Sequence, residues 1–396
     1  MRKLTRSGDI LIPADWAKVF LGVSRRGPFG VSDLLDIARQ TEDLSHLRGW
    51  VTRPFTDVPA TVIPAPFYMP DLSALWPKVS QSPLNSLHFF RSEIRKDLQH
   101  WVLEDVFFVY SRNRWVILRP DGKCGLIDPM STALPTPECL RQIAEGQVQP
   151  VDRLCFAGDV SSTGNPGHFI TDQLARAVIF RDRLGVATDA ISLPMTQAPV
   201  CQVARDCVIP KVQALADGVI LHVKRFEILS TVQYRGHPFW YLDPDTMAAI
   251  SRPMQDLAKG QNGQGPCIYL SRRGNPRRPM VNEPALERAL AAKGFTILRL
   301  EDLDGPAQLG ALYHADTVVA PHGGALGSMI VMRPGTRLLE LFSPRIGTLA
   351  YAGIAGAMDL RYDLMIGAKP LIGGQSGGWK MSPRAVLSRI SELETS

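Results

Sequence analysis

From Cys267 to Ile366 the chain repeats one pattern: a short apolar run, a turn, a longer mixed stretch, then another apolar run. The runs are CIYLS, TILRL, TVVA, RLLELF and RYDLMI, separated by EPALERALAAKG, GPAQLGALYHAD, GALGSMIVM and TLAYAGIAGAMD. Strand-length apolar segments alternating with helix-length segments predict a doubly wound parallel sheet with helices on both faces. Ligands of such sheets bind beyond the carboxyl ends of the strands.

Upstream, LEDVFFVY, RWVILRP and CGLIDP predict a β-meander, with turns at SRN and at Pro120-Asp121-Gly122-Lys123. FITDQLARAVIFRDRL predicts a helix whose apolar face carries Ile170, Leu174, Ala177, Val178 and Phe180. AISLPM and GVILHVKRFEIL predict further strands, and residues 243–260 a helix kinked at Pro253. A final helix, SPRAVLSRISELE, opens at Ser382-Pro383. The first 95 or so residues are proline-rich and suggest only extended segments and turns.

A chain of 396 residues exceeds one ordinary core, so two domains are expected. Apolar residues make up 45% and charged residues 21%, as in soluble globular proteins. No apolar run approaches the roughly 18 residues of a membrane span. The start, MRKLTRSGDILIPADW, lacks the apolar core of a secretion signal, and a cytoplasmic location is expected. Lys and Arg total 44 against 38 acidic residues, a mild excess that suits an anionic ligand or the surface of an acidic membrane. The basic run of Arg272, Arg273, Arg277 and Arg278 is too short to predict a nucleic-acid partner. The six cysteines form no C-x-x-C pair and have no accompanying histidine cluster, so neither zinc nor a disulfide framework is expected.

The third apolar run ends in Pro321-His322-Gly323-Gly324 and passes into Ala325 and Leu326. Paired glycines allow a tight turn and close approach of a ligand. A helix starting there presents unpaired amides and the positive end of its dipole, which favours phosphate or diphosphate. His322 adds a hydrogen-bond donor. The other reading of this corner is a glycine turn with a capping histidine.

Together these segments resemble glycosyltransferase family 61. The resemblance rests on Ser271-Arg272-Arg273 ending a strand, His322-Gly323-Gly324-Ala325-Leu326, Pro334-Gly335-Thr336, and Glu340 within an apolar strand. Gly324 stands where the family usually has alanine. A further element, H-x-x-x-D opening a helix, matches His168 to Asp172. The match spans about 160–370. It implies a GT-B-like α/β fold of two Rossmann-like domains, the C-terminal one the doubly wound sheet and the β-meander near the N-terminus. The domains are placed at 1–245 (acceptor side, β-rich to about 150) and 246–380 (nucleotide-sugar binding). Residues 381–396 form a last helix expected to pack back on the N-terminal domain.

The resemblance further implies an inverting, metal-independent transfer from a nucleotide-sugar donor, with no cofactor. The acceptor would be a glycan or lipid-linked saccharide in capsular or surface polysaccharide synthesis. Such a role is compatible with peripheral association at the inner membrane. Arg272 is expected on the diphosphate, because a guanidinium grips phosphate oxygens in pairs; the alternative is an exposed basic turn. The donor-site expectation also includes His322, Gly323, Gly324, Ala325 and Leu326. Glu340 either accepts from ribose hydroxyls, pairs with a cation, or simply faces outward. His168 and Asp172, four apart, share a helix face. They suit a base and its orienting partner, with Asp172 favoured as the base, or else a helix cap.

Three other patterns compete. Gly374-Gln375-Ser376-Gly377-Gly378 fits a hydrolase nucleophile pattern, but that fold needs a histidine after the serine and the last histidine here is His322. Asp302-Leu303-Asp304 and Asp243-Pro244-Asp245 imitate metal-binding D-x-D but sit where helix caps are expected. The rival to an enzyme is a catalytically inactive nucleotide-sugar or glycan binder with the same fold.

Overall fold

The structure, a computed structural model, describes residues 4–7, 10–13, 57–58, 98–111, 114–118, 124–125, 142–143, 145–158, 165–194, 196–230, 244–343, 350–368 and 378–395. The Gly374–Gly377 loop and Asp243 lie outside the described residues.

β1 (Leu4–Ser7) and β2 (Ile10–Pro13) pair with each other, and β3 (Asp57–Val58) pairs with the start of β4 (Leu98–Ser111). With β5 (Arg114–Leu118) and β6 (Cys124–Gly125), β4 forms the expected antiparallel meander. The same sheet continues through β7 (Gln149–Phe156), β8 (Ile191–Pro194), β9 (Gln213–Leu215) and β10 (Val219–Ser230). Its order is β6-β5-β4-β10-β7-β8-β9, antiparallel up to β10 and parallel beyond it.

The second sheet holds β11 (Cys267–Leu270), β12 (Thr296–Leu298), β13 (Thr317–Pro321), β14 (Arg337–Phe342) and β15 (Arg361–Ile366). All five are parallel, in the order β12-β11-β13-β14-β15. The direction of winding reverses between β11 and β13, which is where open α/β sheets form a ligand crevice. The chain is therefore mixed α/β with parallel sheets, compatible with the Rossmann-like class.

The helices are α1 (Pro166–His168), α2 (Leu174–Asp182), α3 (Pro199–Val208), α4 (Pro244–Lys259), α5 (Glu283–Ala292), α6 (Gly305–Tyr313), α7 (Ala350–Ala357) and α8 (Pro383–Thr395). β7 and α3 have no counterpart in the sequence reading, and two of the expected helices take a different coil. A π-turn, Phe169–Gln173, joins α1 to α2. Gly324–Val331 is a 3₁₀ helix rather than an α-helix. Three residues per turn align Leu326, Met329 and Met332, all buried, in one row.

One continuous dry layer lies between the sheets. It joins Phe169, Leu174 and Val178 to Met254 of α4, Leu309 of α6 and Met329 and Ile330 of the 3₁₀ helix. Alternation along the second sheet sends Val318, Ala320 and Leu338 into this layer and Val319, Leu339 and Leu341 to the opposite face. There they meet Leu286 and Leu290 of α5 and Val386, Ile390 and Leu393 of α8. Arg337 Nε also donates to Leu393 O at 3.1 Å, and Arg389 pairs with Asp363 of β15. The last helix thus packs on the second sheet, where the sequence reading had it reaching back to the N-terminal half. Its apolar stripe finds the face that α5 leaves open beside it.

The two halves meet most closely where α1 crosses the 3₁₀ helix. A Cβ on Gly327 would overlap the backbone of Gly167, so position 327 has no room for a side chain. Far from this seam, Glu227 is 1% exposed on β10 and is bound by His100 (2.9 Å), Arg153 (2.9 Å) and Arg225 (2.7 Å). Burial opposes its charge, but those three partners outweigh it and hold the carboxyl at about 2.

Two outcomes are expected. A folded value below the unfolded one gives stability that is present above pH ~4.5 and is lost as the pH falls toward about 2. Glu227→Gln therefore costs roughly 3 kcal/mol in urea unfolding at pH 7, and the gap to the parent narrows near pH 2.5. Gly327→Ala, forced against backbone, costs ~1–3 kcal/mol by the same measurement, and an unchanged midpoint would show that the seam yields freely.

Candidate functional site

The carboxyl ends of β11 and β13 flank the reversal point, and each carries one of the sequence-predicted groups. Arg272 follows β11 and His322 follows β13. The two are joined directly: an Arg272 guanidinium nitrogen donates to His322 O at 2.6 Å. A cleft of about 270 Å³ opens beside them. Its walls are Arg272, Gly323, Gly324, Ala325 and Leu326 on one side, with Asn165 and Pro166 from the start of α1, and Arg277, Arg278 and Glu301 around the rim.

Five of the seven expected donor-site residues thus line one cleft; His322 and Glu340 lie behind it. Glu340 is wholly buried, and both its oxygens are engaged: His322 Nδ1 at 2.5 Å and the Tyr362 hydroxyl at 2.7 Å. This replaces the readings in which Glu340 met a ribose or faced outward. The alternation of β14 turns it into the dry layer, where a carboxylate persists only with full hydrogen bonding. Its carboxyl holds the His322 ring, which also packs on Phe342 and Tyr351.

The glycines act through closeness rather than unusual dihedrals. Gly323 is extended, and a Cβ there would lie 3.1 Å from the Arg272 guanidinium. A Cβ on Gly324 would overlap the Asn165 side-chain oxygen. Space expected to remain open for a ligand is in part filled by Arg272 and Asn165. The 3₁₀ geometry further trims the free amides, since Leu326 N–H turns back to Gly323 O at 3.0 Å.

The turn after β11 is held by two glutamates of α5. Glu283 accepts from the Arg272 amide (2.8 Å) and the Tyr269 hydroxyl (2.9 Å), and burial pushes its carboxyl up. Glu287 accepts from Ser271 (2.6 Å) and pairs with Arg273 at 3.3 Å, which turns Arg273 away from the cleft. Sequence reasoning missed both glutamates; in EPALERAL they read as ordinary helix-surface charges.

Arg272, Arg277 and Arg278 converge on the cleft. Among the described residues none of the three has a carboxylate within ion-pair distance. Burial, and after it the charge of Arg272, pushes the Arg278 guanidinium down; burial pushes Arg272 down against the pull of Glu283. Arg278 also has φ of +57°, a conformation costly for a side chain of its size. Trp379 Nε1 holds it there by donating to Arg278 O at 2.9 Å. Crowded cations, two of them partly buried, form an arrangement that suits an anion.

His168 and Asp172 are also brought together: Nδ1 lies 2.9 Å from Oδ2 across the π-turn. The cap at this helix start is Asn165, whose side chain accepts from Gly167 N–H at 3.0 Å, so the cap reading of Asp172 gives way. Asp172 is 2% exposed and the His168 side chain 14%. Neither residue lines the cleft, which this helix start reaches only through Asn165 and Pro166. Burial pushes the Tyr351 phenol up, and after burial the charges acting on it are Glu340, then Arg272 and Arg278, then Asp172. Tyr351 had no motif to announce it.

The two D-x-D stretches are structural where described. Asp304 caps α6, accepting from Ala307 N–H at 2.8 Å, Asp302 lies 3.7 Å from Arg299, and Asp245 falls in the first turn of α4. Among the described residues no group of three metal-ligating side chains gathers, and no helix is long and apolar enough to cross a membrane. Cys155, Cys201, Cys207 and Cys267 are free, and burial pushes the Cys155 and Cys201 thiols up to about 12.

No curated protein matches the chain. The model of the family Glycosyltransferase 61 matches residues 167–339, from the glycine under the 3₁₀ helix to the residue before Glu340, and so takes in His168, Asp172, Arg272 and the His322 corner. That match supports a glycosyltransferase related to family 61.

Proposed function

We propose that the chain is an inverting glycosyltransferase that needs no metal and takes its sugar from a nucleotide-sugar donor. Its acceptor is a glycan or lipid-linked saccharide, and its product belongs to a capsular or surface polysaccharide. The halves before and after residue 245 act as the acceptor and donor sides of a GT-B-type pair. The observation that carries this reading is the set of three guanidiniums at the reversal point of the second sheet, without carboxylate partners among the described residues.

A departing nucleoside diphosphate keeps the bonding electrons of the broken C1–O bond and needs fixed positive charge at once. Arg272 supplies it from a position set by His322 O and the Glu283 carboxylate. Arg278 adds a second charge. The acceptor oxygen forms the new bond to C1 on the face away from the diphosphate and gives up its proton to a base.

His168 and Asp172 serve as that base. Asp172 was the favoured proton acceptor from sequence, but its burial moves the contact with the hydroxyl to the more open His168 ring. Asp172 orients the ring and balances the imidazolium that forms. The His322–Glu340 pair is structurally similar, but it sits behind Arg272 and acts by positioning it.

A screen of nucleotide sugars tests the reading: one of them raises the melting temperature and is converted, with acceptor, to a nucleoside diphosphate. Stabilisation without turnover across acceptors would favour the inactive binder. Arg272→Lys, which keeps the charge and loses the fork, is expected to lower kcat by about 10²-fold. Asp172→Asn is expected to abolish transfer while donor stabilisation persists; full activity in that variant would remove the pair from the base role.

A further inference from the structure

Every charged side chain at the cleft is a hydrogen-bond donor except one. Glu301 stands among Arg272, Arg277 and Arg278 at the rim. It lies in the 3₁₀ turn Leu300–Asp302 that follows β12, the strand paired in parallel with β11. The Ser271 amide donates to Leu298 O at 2.7 Å, so the turn carrying Glu301 and the turn carrying Arg272 leave the sheet side by side. The carboxylate is half exposed (52%) and its only close partner among the described residues is Arg299, at 3.2 Å. The two are close enough that the Glu301 charge acts on the Arg272 guanidinium.

A carboxylate repels a diphosphate, so its place in an anion cleft needs a reason. The reason is met when the same ligand offers hydroxyl donors next to its phosphates. A ribose with a free 2′,3′-diol does this; inorganic pyrophosphate and a polyprenyl diphosphate do not. In parallel sheets with a crevice at the winding reversal, an acidic group after the second strand is placed to take the ribose hydroxyls while the first strand's turn takes the phosphates. Here β11 and β12 are those first and second strands.

We propose that Glu301 is the group that recognises the ribose of a nucleoside diphosphate, accepting hydrogen bonds from its 2′- and 3′-hydroxyls while Arg272 and Arg278 hold the phosphates. The inference rests on the reading of this cleft as a diphosphate site and deepens it: the donor's carrier is a ribonucleotide rather than a lipid diphosphate. Glu301 is thereby a specificity residue, and it takes no part in bond breaking.

The test is equilibrium binding of inorganic pyrophosphate and of the uridine, cytidine, guanosine and adenosine diphosphates, each beside its 2′,3′-dideoxy form. The parent protein is expected to prefer at least one ribonucleoside diphosphate over its dideoxy form by about tenfold or more, the loss of hydrogen bonds to a charged acceptor. Glu301→Gln should lose most of that preference while binding pyrophosphate as well as the parent or better. Equal binding of both forms by the parent, or an intact preference in Glu301→Gln, overturns the assignment and leaves the anion site standing. If pyrophosphate and every nucleotide fail to bind, or Arg272→Lys binds pyrophosphate like the parent, the diphosphate reading falls and this inference with it. Because Glu301 is exposed and bonded only at the surface, the variant folds, and its melting temperature without ligand checks this.

Discussion

A carboxylate sealed from water governs the geometry of the cleft. Glu340 sits in the dry layer between the two sheets, and it can do so only because the His322 ring and the Tyr362 hydroxyl take its two oxygens. That requirement fixes the ring, and with it the carbonyl of His322, to which Arg272 is tied. The other end of the Arg272 turn is fixed in the same way by Glu283. Two buried acids, each bonded by groups from neighbouring strands and turns, hold a cation where the strands end. The cleft is thus a by-product of solving two desolvation problems in adjoining turns.

The second sheet was legible in the sequence because burial on both faces leaves strands such as TVVAP and RLLELF almost wholly apolar. The meander was legible from its alternation and turns. β7 was not, because QPVDRLCF is largely exposed over its first five residues and is fully buried only at Leu154, Cys155 and Phe156. α3 escaped as well: PVCQVARDCV is short, and its buried face is made of small residues such as Cys201 and Ala204. The tighter coil of the 3₁₀ segment has no local signature, since it reflects how Leu326, Met329 and Met332 fill the layer.

For the site, local motifs pointed to the corners but not to what braces them. Arg272 and the His322 turn stand at strand ends and carry distinctive residues. Glu283, Tyr351 and Tyr362 come from other elements and act through contacts that only the assembled sheet creates. Glu340 shows the limit most clearly. A glutamate in LLELF raises the right question, yet whether it faces a ligand or the interior depends on strand phase relative to a layer contributed by the other half of the chain. The pairing of His168 with Asp172 followed from spacing, whereas the widened π-turn beneath it did not.

The crowding of Arg272, Arg277 and Arg278 has a kinetic side. On the proposed reading, the repulsion among these cations is relieved by the spent nucleotide as fully as by the intact donor, because the phosphates remain after the sugar has gone. Nothing in that attraction fades once the bond is cut. The leftover diphosphate then becomes a competitor for the next donor, and its escape is a step that every turnover must include. Dissolved salt, by weakening the grip of the guanidiniums, would quicken that escape even as it slows capture.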